Sequence, residues 1–189
     1  NLRYANLLAM DRFSAEAELP FQKCVDLLEK LHDRGGANET RLPLLADVYF
    51  GLARSRFVVG KFAGAGEAAE RERDARQLIV TELQPGEDEP KSKLAETYER
   101  LGDISIKLAD PLKAVEYYRL AISLLEELTS RGGSDAYSRR KALLHGEVAD
   151  ALFFFPEHRE AALEERRLRD EIALERELDF FKPSSFRWK

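Results

Sequence analysis

Two stretches of the chain repeat one another at a fixed distance. Leu27-Leu28-Glu29-Lys30-Leu31 runs on to Arg34-Gly35-Gly36, and Leu124-Leu125-Glu126-Glu127-Leu128 runs on to Arg131-Gly132-Gly133. The offset is about 97 residues, and a third copy fits halfway between. Self-similarity at a period of 20–50 residues marks stacked supersecondary units, each unable to bury its apolar face alone. The repeat therefore predicts a stack of helix pairs, whose usual work is to hold another protein. It indicates binding without naming the partner.

The clearest unit begins near Leu94. Leu94, Tyr98, Leu101, Ile104, Ile106 and Leu108 give an amphipathic helix. Asp110-Pro111 stops it and restarts the chain, since Asp is a preferred N-cap and proline is tolerated in a helix's first turn. Ala114, Val115, Tyr118, Ala121, Ile122, Leu125 and Leu128 then recur at three and four, a single apolar stripe. Arg131-Gly132-Gly133 ends this second helix, glycine being free to take the left-handed turn.

This unit resembles a tetratricopeptide repeat: an aromatic, then Leu-Gly, then Ala, a bulky aromatic and Ala again. Here those are Tyr98, Leu101-Gly102, Ala114, Tyr118 and Ala121. Ser105 stands where tyrosine is common, no proline closes the second helix, and the period is about 47–49 residues against the family's usual 34 or so. Shifting back by about 49 gives Tyr49, Leu52-Ala53 and Ala65, with Ala69 in place of the aromatic and Glu72 in place of a small residue, a weaker copy. A further shift gives Tyr4-Ala5, Ala17, Phe21 and Cys24, with Pro20 expected to kink the second helix or delay its start. Shifting forward by about 47 gives Val148-Ala149 and Ala161, decaying into the charged run from Glu164.

The expected fold is all-α, an α-solenoid of about four antiparallel helix pairs. The resemblance implies a right-handed superhelix of tetratricopeptide type. The helices fall near 1–12 and 14–34, 40–59 and 62–83, 90–108 and 111–131, and 135–154 and 157–178. The repeat domain spans 1–178, in units of about 1–36, 40–86, 90–133 and 135–178, and residues 179–189 form an aromatic and basic tail. Small side chains at Ala5, Ala53, Gly102 and Ala149 are expected where helices cross closely.

Composition narrows the function. Net charge is −5 with both signs interleaved, which argues against non-specific nucleic-acid binding. The single cysteine, Cys24, rules out an internal disulfide framework and suits a reducing compartment, cytoplasmic or nuclear. Cys24 itself reads as a buried structural thiol. No apolar run reaches the ~18–20 residues of a membrane span. The chain opens at Asn1 inside an apolar pattern and reads as part of a longer protein.

Site chemistry is sparse. His145 and His158 lack metal-ligand spacing and read as surface or turn histidines. Gly60-Lys61 and Gly64-Ala65-Gly66 lack the Ser/Thr and the preceding strand of a phosphate loop. Asn38-Glu39-Thr40 fits the glycosylation pattern but reads as turn and cap chemistry. Carboxylates interleaved with Lys and Arg read as solvated helix faces. No catalytic residue, metal or cofactor is expected, and the chain is not expected to be an enzyme.

The family resemblance implies a concave groove lined by the first helix of each pair. Carried onto this chain, its residues are Leu2, Asn6 and Met10; Asp47, Phe50, Arg54, Phe57 and Val58; Glu96, Glu99, Asp103 and Lys107; and Asp150, Phe153 and Phe154. The carboxylate clamp found in part of the family is not expected, because Leu2, Gly51, Glu96 and Arg100 hold its other positions beside Asn6. Acidic side chains prevail in the groove, favouring a basic and apolar partner segment, a histone-like tail included. Phe57-Val58 and Phe153-Phe154-Phe155 divide between inter-repeat packing and anchors at the groove's rim, since adjacent helical residues differ by about 100°. Phe180, Phe181, Phe186 and Trp188 in the tail either cap the last pair or contact a partner. The expected function is a non-catalytic scaffold binding a partner segment in the concave groove or along the long second helices, its partner another protein or another domain of the same chain. The rival expectation is a regulatory arm of a larger signalling enzyme or transcriptional regulator.

Overall fold

The structure is a computed structural model and describes residues 14–35, 40–132 and 135–175. Those residues form seven α-helices and, among them, no strand. In chain order they are α1 (Ser14–Gly35), α2 (Arg41–Val58), α3 (Phe62–Leu78), α4 (Asp88–Lys107), α5 (Pro111–Ser130), α6 (Asp135–Phe153) and α7 (Arg159–Glu175). Each packs mainly on the next, so the molecule is a row of antiparallel neighbours grouped in pairs. The helix expected over 1–12, and Ala5 with it, lies outside the described residues.

The repeat is visible in the backbone of the turns. Gly60 and Ala109, 49 residues apart, both take left-handed φ, +79° and +59°. The Lys61 N–H donates to the Arg56 carbonyl at 2.9 Å, and the Asp110 N–H donates to the Ser105 carbonyl at 2.9 Å. The Ala65 and Ala114 N–H groups donate to the Lys61 and Asp110 carbonyls, at 2.9 and 3.1 Å. The same capping bonds therefore close α2 onto α3 and α4 onto α5. In the second turn the Asp110 carboxylate also accepts from the Lys113 N–H at 3.2 Å, with Pro111 opening α5.

Small side chains sit where pairs meet. Ala53, Gly102 and Ala149 are buried, as are Ala17, Ala65 and Ala114 at equivalent positions of the second helices. In the last pair it is Ala162, not Ala161, that is fully enclosed. The turn through Pro156–His158 adds a residue and shifts the register by one. The Tyr118 ring lies directly on Gly102, and the Phe21 ring on Gly51, so closely that a Cβ at either glycine would collide with the ring.

Two apolar clusters run through the row. One joins α1 to α4 through Phe21, Val48, Leu52 and Leu101; the other joins α4 to α7 through Tyr118, Leu125, Leu152 and Ala162. Tyr98 packs against both, making the core continuous.

Three local features differ from the sequence reading. Of the two effects expected of Pro20, a kink or a delayed start, the delay is absent: α1 begins at Ser14 and runs through the proline. Ala17, Phe21 and Val25 are buried on the side facing α2, and this packing holds the helix across the missing N–H. The segment after α3, Ile79–Leu83, is π-helical. Cys24 is half-buried beside the first cluster instead of enclosed.

Candidate protein-binding face

The expected groove residues lie mostly on α2, α4 and α6, the first helices of their pairs, and the structure shows what each one touches. Asp47 meets the Arg76 guanidinium at 3.3 Å. Glu96 and Glu99 of α4 both accept from Arg140 of α6, at 3.2 and 2.9 Å. Asp103 accepts from the Tyr118 hydroxyl at 2.9 Å. Asp150 accepts from Arg166 at 3.2 Å. Each acidic residue of the expected groove therefore already holds a donor of its own chain. Phe50 is half-buried under the Arg100 guanidinium, 4.5 Å from its ring centroid. Phe50–Arg100 joins α2 to α4, and Arg140 joins α4 to α6, so this face carries the stitches between successive pairs.

Arg54 is half-buried and Lys107 exposed. Asn6, Leu2 and Met10 lie outside the described residues, as do Phe180, Phe181, Phe186 and Trp188. The clamp positions Gly51 and Arg100 are committed elsewhere, Gly51 beneath Phe21 and Arg100 to Glu72.

The aromatics at the ends of the first helices separate by contact. Phe57 is half-buried against the first cluster and meets Phe62 edge-on, with centroids 5.3 Å apart. Phe153 is 44 % exposed beneath Arg166, 5.1 Å from its centroid, while Phe154 stands 83 % exposed. Phe155 is half-buried beside His158. The same turn of α2 leaves Val58 54 % exposed with Val59 beside it, and that of α4 exposes Ile106 and Leu108. At the repeat offsets, Phe57, Ile106 and Phe153 are equivalent, as are Val59, Leu108 and Phe155. One edge of the row thus bears an apolar contribution from every described pair.

Two buried polar clusters escaped the sequence reading. Glu72, where a small residue was expected, is fully buried. Its Oε1 accepts from Arg76 at 2.7 Å, Arg100 at 2.5 Å and the Thr97 hydroxyl at 3.1 Å. Ala69 one turn earlier, small where an aromatic was expected, leaves room for it. The signal was a carboxylate on the apolar stripe with an arginine at i+4. His145 corrects the expectation of a surface histidine: it is buried, with Nδ1 2.6 Å from Glu165. Glu165 also accepts from Arg119 at 3.1 Å. Burial pushes the Glu165 carboxyl up, but the hydrogen bonds and charges of His145 and Arg119 outweigh it, and the group lies below its ordinary value. The separation of 20 residues between His145 and Glu165 gave no local pattern to find.

Among the described residues, no group of three His, Cys, Asp or Glu side chains is placed to hold a metal. Among the same residues, no helix is long and apolar enough to cross a membrane. No protein-family model matches the chain, and no curated protein is significantly similar to it. The class is thus set by the fold, an all-α row of helix pairs with a repeat-like build.

Proposed function

We propose that the chain is a non-catalytic scaffold of tetratricopeptide type that binds a segment of another protein along the apolar edge at the ends of α2, α4 and α6. The observation that carries this reading is that each of three successive first-helix ends exposes an apolar side chain: Val58, Ile106 and Phe154 stand 54, 41 and 83 % exposed. Aromatic and aliphatic side chains on a rim of this kind are typical anchors for a partner. Because the neighbouring carboxylates already hold donors of their own chain, apolar contact leads recognition and charge is secondary. A partner identified by co-purification gives the test. Val58→Ser and Phe154→Ser together should leave the helical circular dichroism unchanged, since both side chains are exposed, and weaken that partner at least about tenfold, or about 1.4 kcal/mol. Full affinity in the folded double variant would defeat the reading.

A further inference from the structure

Helix α7 presents a face that no described residue covers, and that face is complementary to itself. Leu163 and Leu174 are 58 and 83 % exposed. Leu163, Arg167, Asp170 and Leu174 follow one another at four, three and four residues, the spacing of a single seam along a helix. At about 100° per residue, Arg166 and Asp170 lie to one side of the line between the two leucines, and Arg167 and Glu171 to the other. These six side chains line one shallow hollow. The opposite face of α7 packs on α6, through Ala162 and Glu165.

Along this face the order is leucine, two arginines, two acids, leucine. It reads the same from either end with the signs of charge reversed. A second copy laid end for end against it, about a two-fold axis, brings Leu163 against Leu174, Arg166 against Asp170 and Arg167 against Glu171 of that copy, each contact occurring twice. The parallel arrangement fails on charge, since it sets Arg166 against Arg167 and Asp170 against Glu171. The bonds these groups hold within the chain leave room for a second partner. Asp170 accepts from Arg169 through Oδ1 alone, and Glu171 accepts from Arg167 through Oε2 alone. An ionised carboxylate has a second oxygen to accept with. Arg166 donates to Asp150 through one terminal nitrogen only.

We propose that two copies of the chain associate through α7, antiparallel, with leucine contacts at both ends of the seam and arginine–carboxylate contacts between them. A single helix face falls below the roughly 1,200 Å² of a stable complex, so the association is weak and reversible. It is separate from the apolar edge at the turns and stands whether or not that edge binds a partner. Sedimentation equilibrium of the full chain tests it. The weight-average mass should climb from 21.6 kDa towards twice that value between low and high micromolar concentration. Arg167→Glu alone and Glu171→Arg alone should each weaken association at least about tenfold, because each sets like charges opposite one another. Both positions are exposed, so helical circular dichroism should stay the same. Mixed one to one, the two variants should associate with each other as the unaltered chain does. The pair within each helix stays broken in that mixture, so recovery reports on the contact between copies. Three results would each overturn the proposal: a mass of 21.6 kDa at every concentration, undiminished association of either single variant, or no recovery on mixing.

Discussion

At the scale of single residues, the tightest constraint is the contact between Gly102 and Tyr118. The tyrosine is almost wholly enclosed, and its hydroxyl is tied to Asp103. Burial first, and then the Asp103 charge, push its phenol above the ordinary value. The ring therefore cannot swing aside to admit a methyl group. In an exposed helix, Gly→Ala stabilises by roughly 0.5–1 kcal/mol, but forcing a methyl against a fixed ring costs typically about 1–3 kcal/mol. Gly102→Ala should therefore lower stability by about 1 kcal/mol, the difference between the midpoints of those terms. Gly66→Ala on α3, where the new methyl would meet only Ile104 at 3.5 Å, should raise it. Urea midpoints of the two variants decide the matter, and a neutral Gly102→Ala would mean that the ring gives way. This contact was legible in the sequence because both partners fall within one repeat at a fixed spacing.

Between elements, the governing feature is the polar junction of α3 with α4. Glu72 is fully buried, while the side chains of Arg76 and Arg100 are 8 and 12 % exposed. Removing the carboxylate leaves Arg100 without its carboxylate in the core and Arg76 with only the exposed Asp47, and breaking a buried pair in this way typically costs about 3–5 kcal/mol, whereas an exposed pair is worth about 0–1 kcal/mol. Glu72→Ala is therefore expected to destabilise by the larger figure in chemical denaturation, with Glu72→Gln retaining part through its carbonyl. A loss under about 1 kcal/mol would place the cluster among ordinary surface pairs. The helices themselves were readable from the sequence, from Asp110-Pro111, the glycine stops and the three-four spacing of apolar residues. The groove chemistry was less so. Asp47, Glu96, Glu99, Asp103 and Asp150 look like ligand-facing acids in one dimension, yet their cations Arg76, Arg140 and Arg166 and the Tyr118 hydroxyl arrive from other segments. Sequence spacing gives which face a side chain is on, but not which distant donor meets it there.

At the scale of the whole molecule, packing mainly between neighbours makes stability a sum of local terms instead of a single all-or-none quantity. The middle of the row should then be firmest. Helices α4 and α5 are packed on both sides and share both apolar clusters, whereas α7 packs mainly on α6 and buries only Ala162 and Glu165. Amide hydrogen exchange under native conditions reads this directly, because local opening free energies run from near zero to the global value. Exchange is expected to be slowest in α4 and α5 and fastest in α7, with α6 between them. Glu72→Ala should sharpen the pattern. By loosening the α3–α4 junction it should speed exchange in α3 and α4 more than in α6, whose contacts with α5 it leaves intact. A closed globule behaves otherwise, since its interior amides open together and a core substitution speeds all of them alike. Equal protection in α5 and α7, moving together when Glu72 is replaced, would show that the pairs are energetically one body despite being built as a row.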